Sequence, residues 1–295
     1  MKVLSLFDGI ACGLQALKEV GAVVDAYYAS EIDKYAIGVA KRNHPEIVEL
    51  GNIENWMEWN LDFASIDLVI GGSPCQGFTF AGKKLNFDDD RSKLFFVFVD
   101  ILNHIRRLNP QVKFILENVK MKAEWKGIID KCMGVNGIKI NSNLFSAQNR
   151  DRVYWTNILI EGLPEDNVMS LQDILINDYD REEKLYLSES HHKAFLKSYS
   201  WKPCMRGGKS KPLLATYYKQ PPHCPYIAHR QDVKGTTFSE YRRLHPIECE
   251  RLQTLPDDYT RLDEKGKEVS WTQRYKMIGN GWTVGVIKHI FRGLN

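Results

Sequence analysis

A thiol and a carboxyl group each follow an apolar segment in the first half of this 295-residue chain. Cys75 comes after residues 66–70 and two glycines, and Glu117 comes directly after residues 113–116. If both segments are parallel strands, their carboxyl ends meet at the edge of the sheet where chemistry gathers in α/β proteins. A thiolate is a strong nucleophile, and a carboxylic acid can hold or donate a proton. The two groups together suit covalent attack on an electron-poor ring with proton help on that ring.

A third polar segment alternates cations with other residues. On a strand, Gln148, Arg150 and Arg152 would share one face, because successive side chains point to opposite sides. A face that carries these cations suits hydrogen bonds to phosphate oxygens or to base oxygens. The spacing by itself would also be typical of an exposed, charged strand at the edge of a sheet.

A glycine turn follows the first apolar strand. It runs from Phe7 to Gly13, and Glu31 ends the second apolar strand. A carboxylate at that place can accept bonds from both hydroxyls of a ribose. The alternatives are that the glycine turn serves only to reverse the chain and that Glu31 is a solvated residue at a strand end. A nicotinamide site would be expected to show a fuller Gly-x-Gly-x-x-Gly, which this turn lacks.

The surrounding pattern predicts an α/β fold. Strands and helices alternate to about residue 160, which favours a mostly parallel, doubly wound sheet. Apolar residues from Leu94 to Leu108 have helical spacing and stop before Pro110. After residue 164 the chain becomes rich in Tyr, His, Lys, Pro and Ser. We therefore predict a first domain at 1–162, a separate small lobe at 163–237 and a return to the first domain at 238–295.

With these motifs the chain resembles the DNA cytosine-5 methyltransferase family. The Pro-Cys pair at 74–75, Glu-Asn-Val at 117–119, Gln-x-Arg-x-Arg at 148–152 and the segments 246–253 and 274–284 follow the family's order. The chain resembles the bacterial and phage members of the family. Its N-terminal and C-terminal segments also resemble the animal de novo methyltransferases. The resemblance implies a Rossmann-like, S-adenosylmethionine-dependent methyltransferase fold with a small inserted recognition lobe.

The resemblance also implies roles for the catalytic residues. Cys75 would add to C6 of a flipped cytosine, and Glu117 would support N3 of the same base. Arg152 is expected to contact O2 and a nearby phosphate, and Arg150 to contact the catalytic loop and phosphates. Asn118 would hold that loop, residues 76–93, which closes over the flipped base.

S-adenosyl-L-methionine is the cofactor that the resemblance implies. The expected cofactor-binding residues are Phe7, Asp8, Gly9, Ile10, Gly13, Glu31, Asn52, Ile53, Asn280 and Trp282. The family usually has Asp where Asn52 stands, and Asn keeps an acceptor oxygen for the adenine amino group.

The composition limits other classes of function. The formal charge of +3 is nearly neutral, so any basic surface must be local. Six cysteines include no Cys-x-x-Cys pair, and Cys204, His223 and Cys224 fit no common zinc spacing, so we expect no metal. No run is long and apolar enough to span a membrane. We expect a soluble, cytoplasmic enzyme, nucleoid-associated when bound to double-stranded DNA, with no obligate protein partner.

Two other functions stay open. A tRNA cytosine-5 methyltransferase of the same family usually carries Cys-Phe-Thr in its recognition lobe, and that tripeptide is absent here. A catalytically inactive DNA-binding homologue is the other, and intact Cys75, Glu117 and Arg152 argue against it. A stand-alone phage or restriction–modification enzyme is the favoured function. Tyr217 and Tyr218 stand where the de novo enzymes read the guanine of CpG, so CpG is not assumed as the target.

Overall fold

The computed structural model describes residues 1–73, 90–165, 168–176, 178–179, 182–197, 202–228 and 241–294, with the side chains of 90–92 and 196 excepted. Contacts divide the chain into two compact units. The first unit comprises Met1–Asn141, Asp151–Gly162 and Val286–Asn295. The second unit comprises Ser142–Arg150 and Leu163–Gly285. The sequence expectation had assigned 238–295 to the first domain, whereas contacts group residues up to Gly285 with the second unit.

The strands are β1 (Lys2–Leu6), β2 (Ala26–Ser30), β3 (Val48–Glu49), β4 (Leu68–Gly72), β5 (Lys113–Val119), β6 (Ile138–Asn141), β7 (Asp151–Thr156), β8 (Tyr226–Ala228) and β9 (Tyr241–Arg243). The helices are α1 (Cys12–Glu19), α2 (Lys34–Asn43), α3 (Asp90–Leu108), α4 (Ala123–Met133), α5 (Leu171–Ile174), α6 (Glu189–Leu196), α7 (Pro246–Leu252), α8 (Trp271–Asn280) and α9 (Val284–Phe291). Short 3₁₀ segments include Ile53–Glu58 and Phe63–Ser65.

A seven-stranded sheet forms the centre of the first unit, in the order β3-β2-β1-β4-β5-β7-β6. The pairs from β3 to β5 are parallel, and β7 is antiparallel to both β5 and β6. The chain moves outward from β1 through β2 to β3 and then returns to β4 on the other side of β1. The strand order reverses there, and ligands of α/β sheets bind outside the carboxyl ends at such a point. The mostly parallel α/β fold predicted from the sequence is therefore confirmed.

Helices cover both faces of this sheet because its strands are apolar on both sides. Val69 belongs to the buried cluster that includes Phe98 of α3, while Ile70, pointing the other way, lies against Gly13 of α1. Helix α3 ends at Leu108, two residues before Pro110, as the spacing predicted. The sheet edge where β1, β4 and β5 end is thus held by packing on both faces.

The end of β5 differs from the sequence expectation, which placed Glu117 directly after the strand. β5 continues through Glu117, Asn118 and Val119, because the antiparallel neighbour β7 pairs with those residues as well. β3 has only two residues, so Asn52 lies beyond it, in front of the 3₁₀ segment Ile53–Glu58.

The second unit has its own apolar core and two fully buried ion pairs. Arg242 donates two hydrogen bonds to Glu248 at 2.8 and 2.9 Å, and Arg274 donates to Glu250 at 2.9 Å. Glu248 also caps helix α7 by accepting the His245 N–H at 2.7 Å. Buried charges are tolerated when they are paired and hydrogen-bonded in this way.

Within the ranges given above, no helix is both long enough and apolar enough to cross a bilayer.

Candidate active site

Asn118 joins the carboxyl ends of β4 and β5. Its side-chain amide donates to the Ser73 carbonyl oxygen at 3.3 Å and to Ser73 Oγ at 3.1 Å. The Asn118 side chain also accepts the Val119 N–H at 2.8 Å. Both Ser73 and Asn118 are buried. Because Ser73 immediately precedes Pro74, these bonds fix the point from which the chain leads to Cys75.

Cys75 itself lies outside the described residues, as do the loop residues up to 89. The expectation that Cys75 is the nucleophile and that this loop closes over DNA therefore stays a prediction.

Glu117 and Arg152 form an ion pair beside this junction. Arg152 Nε lies 2.9 Å from Glu117 Oε1, and the two side chains are only 14% and 12% exposed. The antiparallel register explains the pairing: Arg152 lies opposite Val119 and therefore diagonal to Glu117, within reach of a long side chain. Arg152 also donates from Nη1 to the Asp151 carbonyl oxygen at 2.8 Å. The pair therefore places a carboxylate and a guanidinium together at the carboxyl end of β5.

The expectation that Gln148, Arg150 and Arg152 share a strand face is wrong. β7 begins only at Asp151, so Arg152 alone belongs to it. The backbone before β7 instead bonds to the second unit's Ser210, whose N–H donates to the Ala147 carbonyl.

Arg150 is buried in the second unit, with 4% of its surface exposed. Its guanidinium donates to the carbonyl oxygens of Leu213 at 2.7 Å, Gly279 at 3.1 Å and Gly281 at 3.1 Å. A guanidinium that gathers three backbone carbonyls braces those segments. The loop and phosphate contacts expected of Arg150 stay a prediction, because most of that loop lies outside the described residues.

The turn after β1 has an unusual backbone. Phe7, Gly9 and Ala11 have φ angles of 58°, 61° and 58°, so two residues with side chains occupy the left-handed region. That conformation costs free energy in residues other than glycine, and it persists where the surrounding structure imposes it. Among the described residues, none has an atom within 4 Å of the position that an added Cβ on Gly9 would occupy. The turn therefore leaves room for a ligand next to its backbone.

Asp8 of this turn is a partly buried acid held by two hydroxyl groups. Ser5 Oγ donates to Asp8 Oδ1 at 2.5 Å and the Tyr27 hydroxyl donates to the same oxygen at 2.6 Å. The pKa of Asp8 is raised to about 6, chiefly by burial and to a smaller extent by the nearby Glu31, although the hydrogen bonds from the two hydroxyl groups lower it. Neither Ser5 nor Tyr27 was expected from the sequence. The one signal was a serine inside an otherwise apolar strand.

Glu31 follows β2 and anchors the same turn. Its Oε2 accepts the Gly9 N–H at 2.8 Å, and its Oε1 accepts the N–H groups of Ile32 at 2.7 Å and Asp33 at 2.9 Å. A carboxylate has about four acceptor sites, so these three bonds leave capacity for a further donor. Glu31 therefore lies next to Asp8 and Gly9, and its cofactor-binding role stays a prediction. Gly13, at the start of α1, and buried Ile10 complete this predicted group.

Asn52 and Ile53 lie at the start of the 3₁₀ segment. Asn52 is exposed, and its side-chain oxygen accepts the Glu54 N–H at 3.1 Å. This bond caps the segment and uses one acceptor site of the oxygen expected to meet an adenine amino group. Ile53 is buried in the core cluster of the first unit.

Asn280 and Trp282 belong to the second unit. Asn280 is the exposed last residue of α8, and Trp282 follows between two anchored residues. The Gln253 side-chain amide donates to the Gly281 carbonyl oxygen at 3.2 Å, and Thr283 Oγ1 donates to Gln253 Oε1 at 2.8 Å. Gln253 follows α7 and belongs to the segment 246–253 that carried the resemblance, but no role was predicted for it.

The Glu117–Arg152 ion pair and the turn that holds Asp8, with Glu31 bound to it, thus lie at the carboxyl ends of the strands, where ligands of α/β sheets bind. Residues 1–295 match the family of C-5 cytosine-specific DNA methylases. The chain therefore belongs to the C-5 cytosine-specific DNA methylase family.

Individual relatives agree with this assignment. The orphan methyltransferase M.Rho11sI of Bacillus phage rho11s is 33% identical over 217 residues, 68% of this chain and 41% of that protein. The type II methyltransferase M.HhaI of Haemophilus parahaemolyticus is 27% identical over 321 residues, 98% of this chain and 93% of that protein. The aligned region spans about two fifths of the length of the phage relative and nearly all of M.HhaI.

Among solved structures, the S. pombe Dnmt2 methyltransferase has a TM-score of 0.74 at 17% identity, covering 100% of this chain and 99% of that chain. At that identity the likeness concerns the fold.

Proposed function

We propose that this protein is a DNA (cytosine-5-)-methyltransferase that uses S-adenosyl-L-methionine and acts on a flipped cytosine in double-stranded DNA. The observation that carries the proposal is the Glu117–Arg152 pair beside the Asn118–Ser73 junction, because both adjoin the segment that leads to Cys75. The names of the phage and type II relatives support methyl transfer, and the description of the family supports cytosine in DNA as the substrate.

The cytosine ring sets the chemical demands on the site. C5 of cytosine is a poor nucleophile, and the Cys75 thiolate would add to C6 and push the ring electrons toward C5. C5 would then take the methyl group, lose its proton to a base, and expel the thiolate as the C5–C6 double bond forms again. Because a free thiol is mostly protonated at neutral pH, the site must also promote thiolate formation.

The ion pair would stabilise charge that develops on the ring during this addition. Glu117 is the proposed partner of N3, sharing a proton with that nitrogen, and Arg152 is the proposed donor to O2. Both side chains are about nine-tenths buried, and preorganised donors act most strongly where water is excluded. Arg152 also holds Glu117 at a fixed position.

The turn in the first unit fits a cationic methyl donor. When bound, S-adenosylmethionine supplies an activated methyl group on a positively charged sulfur. Asp8 and Glu31 carry acidic groups suited to that cation and to its ribose hydroxyls, and the space beside Gly9 leaves the backbone accessible. Phe7, Ile10 and Gly13 from the same turn, with Asn52, Ile53, Asn280 and Trp282, complete the proposed set.

Residues 163–237, which belong to the second unit, are the proposed reader of the target sequence. Their cationic and aromatic side chains can bind phosphates and base edges. Flipping the cytosine costs a few kcal/mol of unstacking, which contacts made in the bound state must offset.

Methylation of unmethylated plasmid by the purified protein and S-adenosylmethionine, read by bisulfite sequencing, tests the proposal. We expect cytosines in one fixed context to resist conversion, and Cys75→Ala to abolish that resistance while retaining DNA binding. Modification of tRNA without modification of plasmid would replace DNA with RNA as the substrate. DNA binding with neither modification would support an inactive homologue, and an active Cys75→Ala variant would refute the covalent mechanism.

A further inference from the structure

Two hydroxyl groups converge on one oxygen of Asp8. Ser5 reaches Oδ1 from β1 and Tyr27 reaches it from β2, at 2.5 and 2.6 Å. The other oxygen, Oδ2, accepts no hydrogen bond from any residue in the described ranges. The carboxyl group is thus held on one side and open on the other.

Packing fixes the tyrosine that makes the longer of these bonds. Tyr27 is 0% exposed, and its hydroxyl lies 3.3 Å from the position that a Cβ on Gly13 would occupy. Side chains in a close-packed interior keep a single rotamer. The hydroxyl is therefore fixed between the turn and the first residues of α1.

We propose that Tyr27 is a positioning residue of the methyl-donor site, orienting Asp8 so that Oδ2 receives the positively charged part of the donor. This inference rests on the proposed function. Tyr27 acts through Asp8, so its hydroxyl contributes to affinity for the donor without contacting it.

The electrostatics of Asp8 give this role a distinct signature. Burial favours the neutral acid, the hydrogen bonds from Ser5 and Tyr27 favour the carboxylate, and the charge of Glu31 adds a smaller preference for the neutral acid, so that the resulting pKa is about 6. Affinity for a cation should therefore fall as the pH drops through about 6. Loss of the Tyr27 hydroxyl should raise the pKa of Asp8 and move that fall to higher pH.

The test is calorimetric binding of S-adenosylmethionine and S-adenosylhomocysteine to the whole protein between about pH 5 and pH 8. Tyr27→Phe should weaken binding of S-adenosylmethionine roughly 3- to 10-fold at neutral pH, and should move the pH midpoint of binding upward by about half a unit or more. Tyr28→Phe is the matched control, because it removes a hydroxyl from the next residue of β2, on the opposite face. It should change neither quantity.

Ser5→Ala provides a second route to the same conclusion if Tyr27→Phe does not fold, and should move the midpoint in the same direction. An unchanged affinity and midpoint in a folded Tyr27→Phe protein that binds both compounds would overturn the inference and leave the proposed function intact. If the unaltered protein binds neither compound, the proposed function fails, and the inference fails with it.

Discussion

Removal of Arg152 is the simplest test of the catalytic role proposed for the Glu117–Arg152 ion pair. In Arg152→Ala, Glu117 remains in a mostly buried position without its cation, and the proposed donor to the base is lost. We expect kcat to fall by roughly 100-fold or more, as for other lost donors to developing charge. Single-turnover methylation of a target oligonucleotide measures this rate.

Lys139→Ala is the control for that variant. Lys139 lies on the neighbouring strand β6 and pairs with Asp151 at 3.2 Å, but it is 54% exposed. Because exposed ion pairs contribute little, we expect a rate within about twofold of the unaltered enzyme. Equal rates for Arg152→Ala and Lys139→Ala would remove Arg152 from the catalytic account.

Asn118 is expected to act on the approach to Cys75. Asn118→Ala removes both bonds to Ser73 and leaves buried acceptors unsatisfied, at a cost of roughly 1–3 kcal/mol in the free energy of unfolding. We expect a slower covalent step, while Ser73→Ala, which keeps the bond to the Ser73 carbonyl, should be affected less. The measurement is the rate of covalent complex formation beside a denaturation curve for each variant. If Asn118→Ala formed the covalent complex at the rate of the unaltered protein, the positioning role of Asn118 would be contradicted.

Asp8 makes the stability of the protein without ligand depend on pH. Its pKa rises from about 3.9 in the unfolded chain to about 6 in the folded protein, so folding takes up a proton between these values. The associated stability is present below about pH 4 and lost as the pH rises through about 6, by roughly 2–3 kcal/mol.

Asp8→Asn should therefore gain stability relative to the unaltered protein as the pH rises from about 4 to 7.5. Asp62→Asn, at an exposed aspartate of the same unit, should show no such trend. Thermal denaturation at several pH values measures both differences. A difference for Asp8→Asn that does not change with pH would show that the carboxyl group is not destabilised by burial.

At the scale of the elements, the approach of β4 to β1 depends on a glycine. A Cβ on Gly71 would lie 2.7 Å from the Leu6 carbonyl oxygen and 2.9 Å from the Phe98 ring. Gly71→Ala should destabilise the protein by roughly 1–3 kcal/mol, because one of these atoms belongs to the backbone. Gly127 in α4 has open space around it, and Gly127→Ala should stabilise by about 0.5–1 kcal/mol. Chemical denaturation of both variants should give opposite signs, and matching signs would contradict the packing argument.

The elements also show which features the sequence could predict. The apolar strands around Val69 and Ile115 and the helical spacing up to Leu108 are local patterns, and the parallel α/β sheet follows from their alternation. The carboxyl edge that carries Glu117 follows from the same alternation.

The rest depended on contacts distant in sequence. Arg150 leaves the expected strand because carbonyls more than 60 residues away bind its guanidinium, and no spacing rule encodes those partners. Likewise, Tyr27 is an ordinary strand residue until folding brings its hydroxyl to Asp8. The acids of the site could be predicted by motif, whereas the groups that hold them could not.

At the scale of the whole molecule, the second unit depends on charges buried in its core. Arg242→Met would leave Glu248, which is fully buried, without its cation and should cost about 3–5 kcal/mol in the free energy of unfolding. Arg261→Met, which breaks an exposed pair with Asp258, should cost about 1 kcal/mol or less. Calorimetric denaturation compares the two, and similar losses would mean that the buried pair is not a principal support of the unit.

The central claim, that Cys75 attacks C6 of a cytosine in DNA, has one direct measurement. The protein is incubated with S-adenosylmethionine and a target duplex whose cytosine carries fluorine at C5. Because a base cannot remove fluorine as it removes a proton, elimination is blocked and the adduct should persist under denaturing conditions. We predict one covalent complex by mass spectrometry, with the DNA on the peptide containing Cys75 and no complex from Cys75→Ala. Methylation of ordinary DNA without a trapped complex, or a complex on another residue, would contradict the account.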